Sequence, residues 1–263
     1  MHHVAWHAYQ LLNGHELIDL FQCVRPDALI HTAAIADIDI AEANRPLARA
    51  VNVEVTRDLV NLCHETGCKL VFCSTDTIFD GERAPYKEGD PPRPVNYYGE
   101  TKVDAEQVVR RLGSPWVIAR LAIVMGLPII GSGNSFLARM LPALKDGQKI
   151  NVPPREVRTP VDVITAGRAL LELAGGTHEG IFHLAGNSRV GRLELGRKIA
   201  ARFGFSEDLI TEASGAHATS RRATRPRDVS LDNTKARAYL QTPMRSIDEA
   251  LSLIQEAAQS VLS

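Results

Sequence analysis

Short apolar runs alternate with amphipathic segments along the first half of the chain, and this alternation constrains the fold most strongly. The apolar runs suit strands buried on both faces, and the segments between them carry apolar residues at helical spacing. Strands that alternate with helices form parallel sheets with right-handed crossovers. The sequence therefore predicts an α/β fold with helices on both faces of a parallel sheet. The predicted strands are 27–34, 69–75 and 116–126, and the predicted helices are 46–67 and 99–113.

The second half of the chain is less regular. It combines four helical patterns with one apolar run and contains no internal repeat. The helices are predicted at 133–148, 159–176, 193–204 and 246–262, and the strand at 180–186. We expect a continuous sheet domain with a smaller lobe built from segments after about residue 126.

Charge and cysteine content exclude several classes of partner. Lys and Arg total 30 against 31 for Asp and Glu in 263 residues, so the net charge is −1 and no basic field predicts nucleic-acid binding. No apolar stretch approaches the length that crosses a bilayer. The four cysteines form no C-x-x-C pair, so we expect buried thiols and no metal site. Free cysteines without a signal peptide predict a cytoplasmic protein.

Two clusters predict the chemistry. Ser74, Thr75 and Asp76 end the predicted strand 69–75, and Tyr98 and Lys102 stand four residues apart at the start of the next helix. Ligands bind beyond the carboxyl ends of parallel strands, so the clusters should meet there. A free tyrosine has a pKa of about 10, and a nearby ammonium favours its ionised form. This arrangement predicts hydride transfer to or from a carbonyl, with Tyr98 as acid and a Thr75 or Ser74 hydroxyl holding the substrate oxygen.

The order of several segments resembles the extended short-chain dehydrogenases/reductases, and within them the dTDP-4-dehydrorhamnose reductase branch. The segments are LIHTAA, AVNV, LVFCSTDTIFDG, PYKEGDPPRPVNYYGETKVDAE, WVIARLAIVMG, GNSFLARML, RTPVDVITAG, GIFHLAG and TRPRDVSLD. The resemblance implies a Rossmann-like, doubly wound NAD(P)-binding domain (1–126 and about 157–186). It also implies a substrate lobe for a nucleotide-sugar (about 127–156 and 187–263).

The same resemblance implies roles for individual residues. Thr75, Tyr98 and Lys102 would be the catalytic triad, in an NAD(P)H-dependent reductase of a nucleotide-activated keto-sugar. The expected cofactor contacts are Ala33, Ala34, Ser74, Tyr98 and Lys102. The expected substrate contacts are Asp76, Asn134, Arg158 and Arg225, the arginines and the asparagine serving the diphosphate. A homodimer through helices 46–67 and 99–113 is a further expectation from the resemblance.

The sequence departs from the family pattern at two places. It contains no G-x-x-G-x-x-G turn, and Gly14 is alone in the first 60 residues. If HHVAWHAY is the family's second strand, the first strand and helix of the family are missing from this sequence. Either the start codon was placed too far downstream, or the chain is a true truncation. The presence of the whole triad favours the misplaced start codon. Leu121 and Ile123 replace the threonine and tryptophan typical of the rhamnose branch.

Three alternatives to the reductase therefore stay open. The chain could be an epimerase or dehydratase on a nucleotide-sugar, or a fragment that cannot fold alone. It could also be a non-catalytic regulatory or scaffolding protein, since the regulatory subunit of methionine adenosyltransferase is similar to this branch. The choice between NADH and NADPH, and the identity of the sugar, are not determined by the sequence.

Overall fold

A computed structural model of the chain describes residues 5, 7–128, 133, 135–213 and 223–262. The α-helices are α1 (Gly14–Val24), α2 (Ile38–Ala43), α3 (Arg45–Arg49), α4 (Val55–Thr66), α5 (Tyr97–Val109), α6 (Phe136–Lys145), α7 (Val163–Gly175), α8 (Arg192–Arg202), α9 (Thr234–Tyr239) and α10 (Ile247–Leu262). The strands are β1 (Ala28–His31), β2 (Lys69–Thr75), β3 (Trp116–Leu121), β4 (Val124–Met125), β5 (Ile150–Val152), β6 (Val157–Arg158), β7 (Val161–Asp162), β8 (Gly180–Leu184), β9 (Val190–Gly191) and β10 (Ile210–Glu212).

Four parallel strands form the main sheet in the order β1-β2-β3-β8. Successive side chains of β2 enter different cores because a strand alternates its faces. Leu70 and Phe72 join a core with α4 and α5, whereas Val71 and Cys73 join one with α7. Burial on both faces explains the uninterrupted apolar run, and the predicted α/β fold with a parallel sheet is confirmed.

The predicted helix 46–67 is divided by a π-helical turn. It begins one residue early as α3, widens into the π turn at Ala50–Glu54 and continues as α4. Gly67 ends it with a φ of 72°, a left-handed conformation that favours glycine. The π turn was not predicted, because it adds only one residue to the spacing of the apolar face and the helix was predicted from roughly helical spacing.

Three other predicted elements were wrong in extent. The run 116–126 is two strands in different sheets, because β4 leaves the main sheet to pair with β7. The helix predicted from 159 begins at Val163, after β7, where the Asp162 carboxylate caps it by accepting a hydrogen bond from the Thr165 amide at 2.7 Å. HHVAWHAY, considered as a strand, has none at Ala5 or at residues 7–9, the part of it that the structure describes.

A second core lies beside the main sheet. Helices α6, α8 and α10 pack around β5 and β10, which pair in parallel, and contribute Leu137, Ile199 and Ile254 among others. Helix α9 and its C-cap instead place Ala236 and Leu240 in the sheet core, although they lie in the range predicted for the lobe. Within the described ranges, no helix has the length and hydropathy to span a membrane. The cavity between the sheet and this second core contains the predicted site.

Candidate active site

The turn after β2 gathers hydroxyl and carboxylate groups at the edge of the sheet. The Thr75 hydroxyl caps the turn Asp76–Ile78 by accepting a hydrogen bond from the Thr77 amide at 3.2 Å. It also lies 3.2 Å from Asp76 Oδ1 and from Thr77 Oγ1. All three side chains are buried. The strand end is therefore a fixed cluster of hydroxyl groups around one carboxylate.

Helix α5 begins directly against this turn. Asn96 caps it by accepting a hydrogen bond from the Gly99 amide at 2.9 Å, and its amide group donates to the Thr224 carbonyl at 3.0 Å. The absence of a side chain at Gly99 permits the close packing, because a Cβ there would lie 2.6 Å from the Thr77 carbonyl oxygen. The first turn of α5 thereby places Tyr98 beside Thr75, as the sequence predicts.

Tyr98 and Lys102 are both buried in this position. Burial raises the pKa of Tyr98, and its hydrogen bond with the Thr75 hydroxyl acts in the opposite direction. Burial lowers the pKa of Lys102 to about 8, although Cys73 and Glu106 favour its charged form. The expected lowering of the Tyr98 pKa by Lys102 is not found in this structure. The ammonium lies 4.0 Å from the centre of the Phe72 ring, and the desolvation of the phenol dominates.

His31 is a further buried group near the lysine. Burial and then the Lys102 charge lower the pKa of His31 to about 4, and its Nε2 lies 3.1 Å from the Thr56 hydroxyl. His31 is therefore neutral at physiological pH. The ammonium of Lys102 supplies the positive charge on this side of the site.

Asn52 was missed by the sequence analysis, and it links two parts of the site. Its Oδ1 accepts a hydrogen bond from the Ile35 amide at 2.8 Å, and its Nδ2 donates to the Thr101 hydroxyl at 2.9 Å. These bonds join the loop after β1, which contains Ala33 and Ala34, to helix α5. Asn52 lies in the π turn, and π turns are frequent at functional sites. The signal that could have revealed it is an asparagine between the valines of AVNV within a predicted helix, because asparagine is a poor helix former.

Asp76 begins a line of alternating buried charges. Its Oδ2 lies 3.8 Å from Arg158 Nε, and Arg158 Nη2 lies 3.7 Å from Glu156 Oε2. Arg192 Nε donates to the same Glu156 oxygen at 3.1 Å. Burial raises the pKa of Asp76, and the Arg158 charge opposes that shift. Neither Glu156 nor Arg192 was selected from the sequence, because the three segments meet only in the folded chain.

The remaining predicted substrate contacts differ in their surroundings. Arg158 also donates hydrogen bonds to the carbonyls of Val157, Pro226 and Arg227 at 2.7–3.1 Å. Arg225 forms an ion pair with Asp39 at 2.8 Å, with hydrogen bonds from both terminal nitrogens. Asn134 lies outside the described residues.

One cavity of about 390 Å³ brings most of the predicted residues together. Its walls include Ala34, Thr75, Asp76, Tyr98, Lys102, Arg158 and Arg225. Ala33 is half-buried beside it and does not line it. Ser74 lines the cavity, and its buried hydroxyl has no hydrogen-bond partner of good geometry, although it lies close enough to Glu106 to lower the pKa of that carboxyl. A buried hydroxyl, a phenol and an ammonium facing one cavity can bind and protonate a carbonyl oxygen.

Comparisons with known proteins agree with this fold. A family model described as the RmlD substrate binding domain matches residues 1–260. The crystal structure of dTDP-4-dehydrorhamnose reductase from Bacillus anthracis in complex with NADP is similar, with a TM-score of 0.86 and 26% identity. The similarity covers 94% of this chain and 86% of that one.

Two curated relatives are similar over most of the chain. A probable low-salt glycan biosynthesis reductase from Haloferax volcanii is 29% identical over 95% of this chain and 84% of its own length. The methionine adenosyltransferase 2 subunit beta of Pongo abelii is also 29% identical, over 84% of this chain. The chain spans 66% of the length of that second relative. Relatives with and without a reductase name therefore share this fold.

Proposed function

The chain belongs to the RmlD substrate-binding domain family, and from that premise we propose that it reduces the keto group of a nucleotide-activated sugar with NAD(P)H. The sequence resemblance to the dTDP-4-dehydrorhamnose reductase branch is confirmed by this membership. The observation that carries the proposal is the burial of Thr75, Tyr98 and Lys102 around one cavity at the end of β2.

Each of the three side chains has a distinct role in this proposal. The Thr75 hydroxyl donates a hydrogen bond to the substrate carbonyl oxygen and fixes it beside Tyr98. Tyr98 then gives its phenolic proton to that oxygen as it becomes an alkoxide. The ammonium of Lys102 stabilises the resulting phenolate, whose charge burial would otherwise disfavour. The raised pKa of Tyr98 suits this direction, because it keeps the proton on the phenol until the alkoxide forms.

The residues present fit the nicotinamide end of the cofactor. Ala34, Tyr98 and Lys102 line the cavity and would hold that end, and bound NAD(P)H supplies a hydride to the carbonyl carbon. The sequence contains no glycine-rich turn for the pyrophosphate. We therefore expect the 263-residue chain to hold the nicotinamide end more firmly than the rest of the dinucleotide.

A turnover assay tests the proposal directly. NADPH and NADH oxidation would be followed at 340 nm with millimolar cofactor and a panel of nucleotide-linked 4-keto-sugars, including dTDP-4-dehydrorhamnose. Turnover of at least one keto-sugar, lost in Tyr98→Phe, supports the reductase. Leu121 and Ile123 favour a sugar other than dehydrorhamnose as the best substrate. No oxidation above the rate without substrate, across the panel, contradicts the proposal.

A non-catalytic subunit is the second candidate. It is favoured by the similarity to the methionine adenosyltransferase subunit. Co-purification with a methionine adenosyltransferase, together with no turnover by the isolated chain, would support it over the reductase.

A further inference from the structure

Two buried cysteines lie on either side of the glycine that ends α4. Cys63 is in the last turn of the helix, Gly67 reverses the chain with a φ of 72°, and Cys68 follows directly before β2. Side chains at these two positions commonly touch when a helix ends in a left-handed residue, because the reversal folds the chain back over its last turn. Both cysteines belong to the same apolar core, and both thiols are free. The end of α4 therefore holds two thiols together.

The two thiols share a hydrogen bond that makes them unequal. The Cys68 thiol donates to the Lys69 carbonyl at 3.6 Å, and its sulfur accepts from the Cys63 thiol. The bond with Cys63 lowers the pKa of Cys68, and burial and the Asp27 charge act in the opposite direction. The same bond, together with burial, raises the pKa of Cys63. Cys68 is therefore the thiol of the pair that ionises first, and the thiolate is the reactive form of cysteine.

Cys68 is also the thiol that a small molecule can reach. It lines a cavity of about 550 Å³ between α1 and α4, whereas Cys63 does not line it. The side chains of Gln22, Arg25 and Glu65 are part of the same lining and are exposed, so the cavity opens to water. This cavity shares no lining residue with the catalytic one. A small oxidant that enters it meets Cys68 and not Cys63.

A metal site at this pair is the first alternative. Structural zinc takes four ligands, and two thiols are too few. Among the residues that the structure describes, no group of three or more His, Cys, Asp and Glu side chains could hold a metal ion. The second alternative is an inert pair, since buried cysteines often act only as small hydrophobic residues. The contact between the thiols and the open cavity beside Cys68 favour chemistry over packing alone.

We propose that Cys63 and Cys68 are an oxidation site at which a hydroperoxide converts the two thiols into a disulfide. With hydrogen peroxide, the Cys68 sulfur attacks one oxygen, the O–O bond breaks, and Cys68 becomes a sulfenic acid as one water molecule leaves. The Cys63 sulfur then attacks the Cys68 sulfur, the S–O bond breaks, and a second water molecule leaves with the Cys63 proton. The two sulfurs lose two electrons in total, and the peroxide gains them.

The disulfide would join the end of α4 to the start of β2. Cys63 is the resolving thiol in this sequence of steps, and it prevents further oxidation of Cys68 to a sulfinic acid. A thiol-based reductant restores both cysteines, so the modification is reversible. The site does not depend on the proposed reduction of a keto-sugar, because the two cavities are separate.

Peptide mapping of the 263-residue chain after treatment with hydrogen peroxide tests the proposal. Both cysteines lie between Arg57 and Lys69, so trypsin releases them in a single peptide, residues 58–69. We expect that peptide to lose about 2 Da, the mass of two hydrogen atoms, and to take up no alkylating reagent. Treatment with dithiothreitol should restore two alkylatable thiols. Cys23 is exposed and is the internal reference for the peroxide dose.

Two variants separate the roles of the thiols. In Cys63→Ser, Cys68 has no resolving partner, so the peptide should gain about 32 Da as a sulfinic acid. In Cys68→Ser, Cys63 should stay reduced, because it does not line the cavity. If either variant fails to fold, the measurement on the unmodified chain still decides.

Two results with the unmodified chain would overturn the proposal. The first is a peptide 58–69 that keeps both thiols alkylatable at a dose that has fully oxidised Cys23. The second is a disulfide that joins Cys23 to Cys68, which would show that the contact across Gly67 does not select the pair.

Discussion

Gly99 and Thr77 are in direct contact across the junction of α5 and β2: a Cβ at position 99 would lie 2.6 Å from the Thr77 carbonyl oxygen. The contact fixes how closely α5 approaches the hydroxyl cluster after β2. Because Tyr98 precedes Gly99, the same contact sets the distance from the phenol to the Thr75 hydroxyl. The position of Tyr98 at the cavity therefore depends on a residue with no side chain.

Gly99→Ala should consequently separate α5 from the turn. We expect a loss of about 1–3 kcal/mol in the free energy of unfolding, as for other overpacked sites, and a loss of turnover larger than the stability change explains. Gly167→Ala, inside α7 where a Cβ meets no atom within 4 Å, is the matched control. It should be neutral or stabilising. Urea unfolding and the keto-sugar assay provide the measurements, and equal behaviour of the two variants would contradict the packing argument.

Tyr98→Phe should reduce kcat by about 10²–10⁴-fold, the usual contribution of a general acid. The ring stays, so folding and the affinity for a nucleoside diphosphate should change little. Tyr97→Phe is the control, because Tyr97 is only half-buried, with its ring 4.8 Å from the Arg45 guanidinium. A Tyr98→Phe variant with more than a tenth of the original kcat would remove Tyr98 from the acid role.

Lys102→Met should lose turnover yet gain stability at neutral pH. The Lys102 pKa of about 8 lies below its ordinary value of 10.5 because of burial. The unfolded chain therefore binds the proton more strongly, and the cost of the buried ammonium is fully present below pH 8 and disappears as pH rises towards 10.5. The gain in free energy of unfolding should thus be larger at pH 7 than at pH 10. Thermal unfolding at the two pH values measures it; a gain that grows with pH would be inconsistent with this account.

Glu106→Gln should be strongly destabilising. Glu106 forms two hydrogen bonds of 2.9 Å with Arg120, and both side chains are almost fully buried. Removing one partner of a buried ion pair lowers the free energy of unfolding by about 3–5 kcal/mol. The control is Glu54→Gln, in the exposed pair with Arg57, which should lower it by less than about 1 kcal/mol. The comparison requires only urea unfolding at pH 7.

The same pair predicts acid sensitivity. Burial raises the pKa of Glu106, but the hydrogen bond and charge of Arg120 lower it by more, so it lies below its ordinary value of 4.5. Its stabilising contribution is therefore present above pH 4.5 and is lost as pH falls through the folded-state pKa. The difference between Glu106→Gln and the unmodified chain should shrink in that acid range. A constant difference from pH 7 to pH 3 would rule out the ionised pair as its cause.

NADPH should bind the 263-residue chain weakly, with a Kd of about 1 mM or higher. A Kd of that size corresponds to a binding free energy of about −4 kcal/mol. The reason is that the proposed contacts lie at the nicotinamide end, and the 263 residues contain no glycine-rich turn for the pyrophosphate. Fluorescence titration of NADPH measures this affinity, with Lys102→Met as the variant that should weaken it further. A Kd in the low micromolar range would show that other residues hold the pyrophosphate.

The sequence by itself determined the α/β fold, the end of β2 and the meeting of the Thr75 cluster with Tyr98 and Lys102 at one cavity. It did so because apolar periodicity reports burial directly, and because Ser74–Asp76 and the Tyr98–Lys102 pair lie at element boundaries that the same periodicity marks. Local spacing also predicted the cap of α4 at Gly67. It could not predict the π turn that holds Asn52, nor the departure of β4 from the main sheet.

Only the tertiary structure decided how the arginines around the cavity are paired. Arg158, Arg192 and Arg225 look alike in the sequence, as charged residues in polar stretches. Their partners come from distant segments: carbonyls near residue 226 surround Arg158, and Asp39 pairs with Arg225. Arg192 retains an unused donor because its neighbour Glu156 occupies only its Nε. Such pairing depends on contacts between residues dozens of positions apart, which periodicity and spacing do not encode.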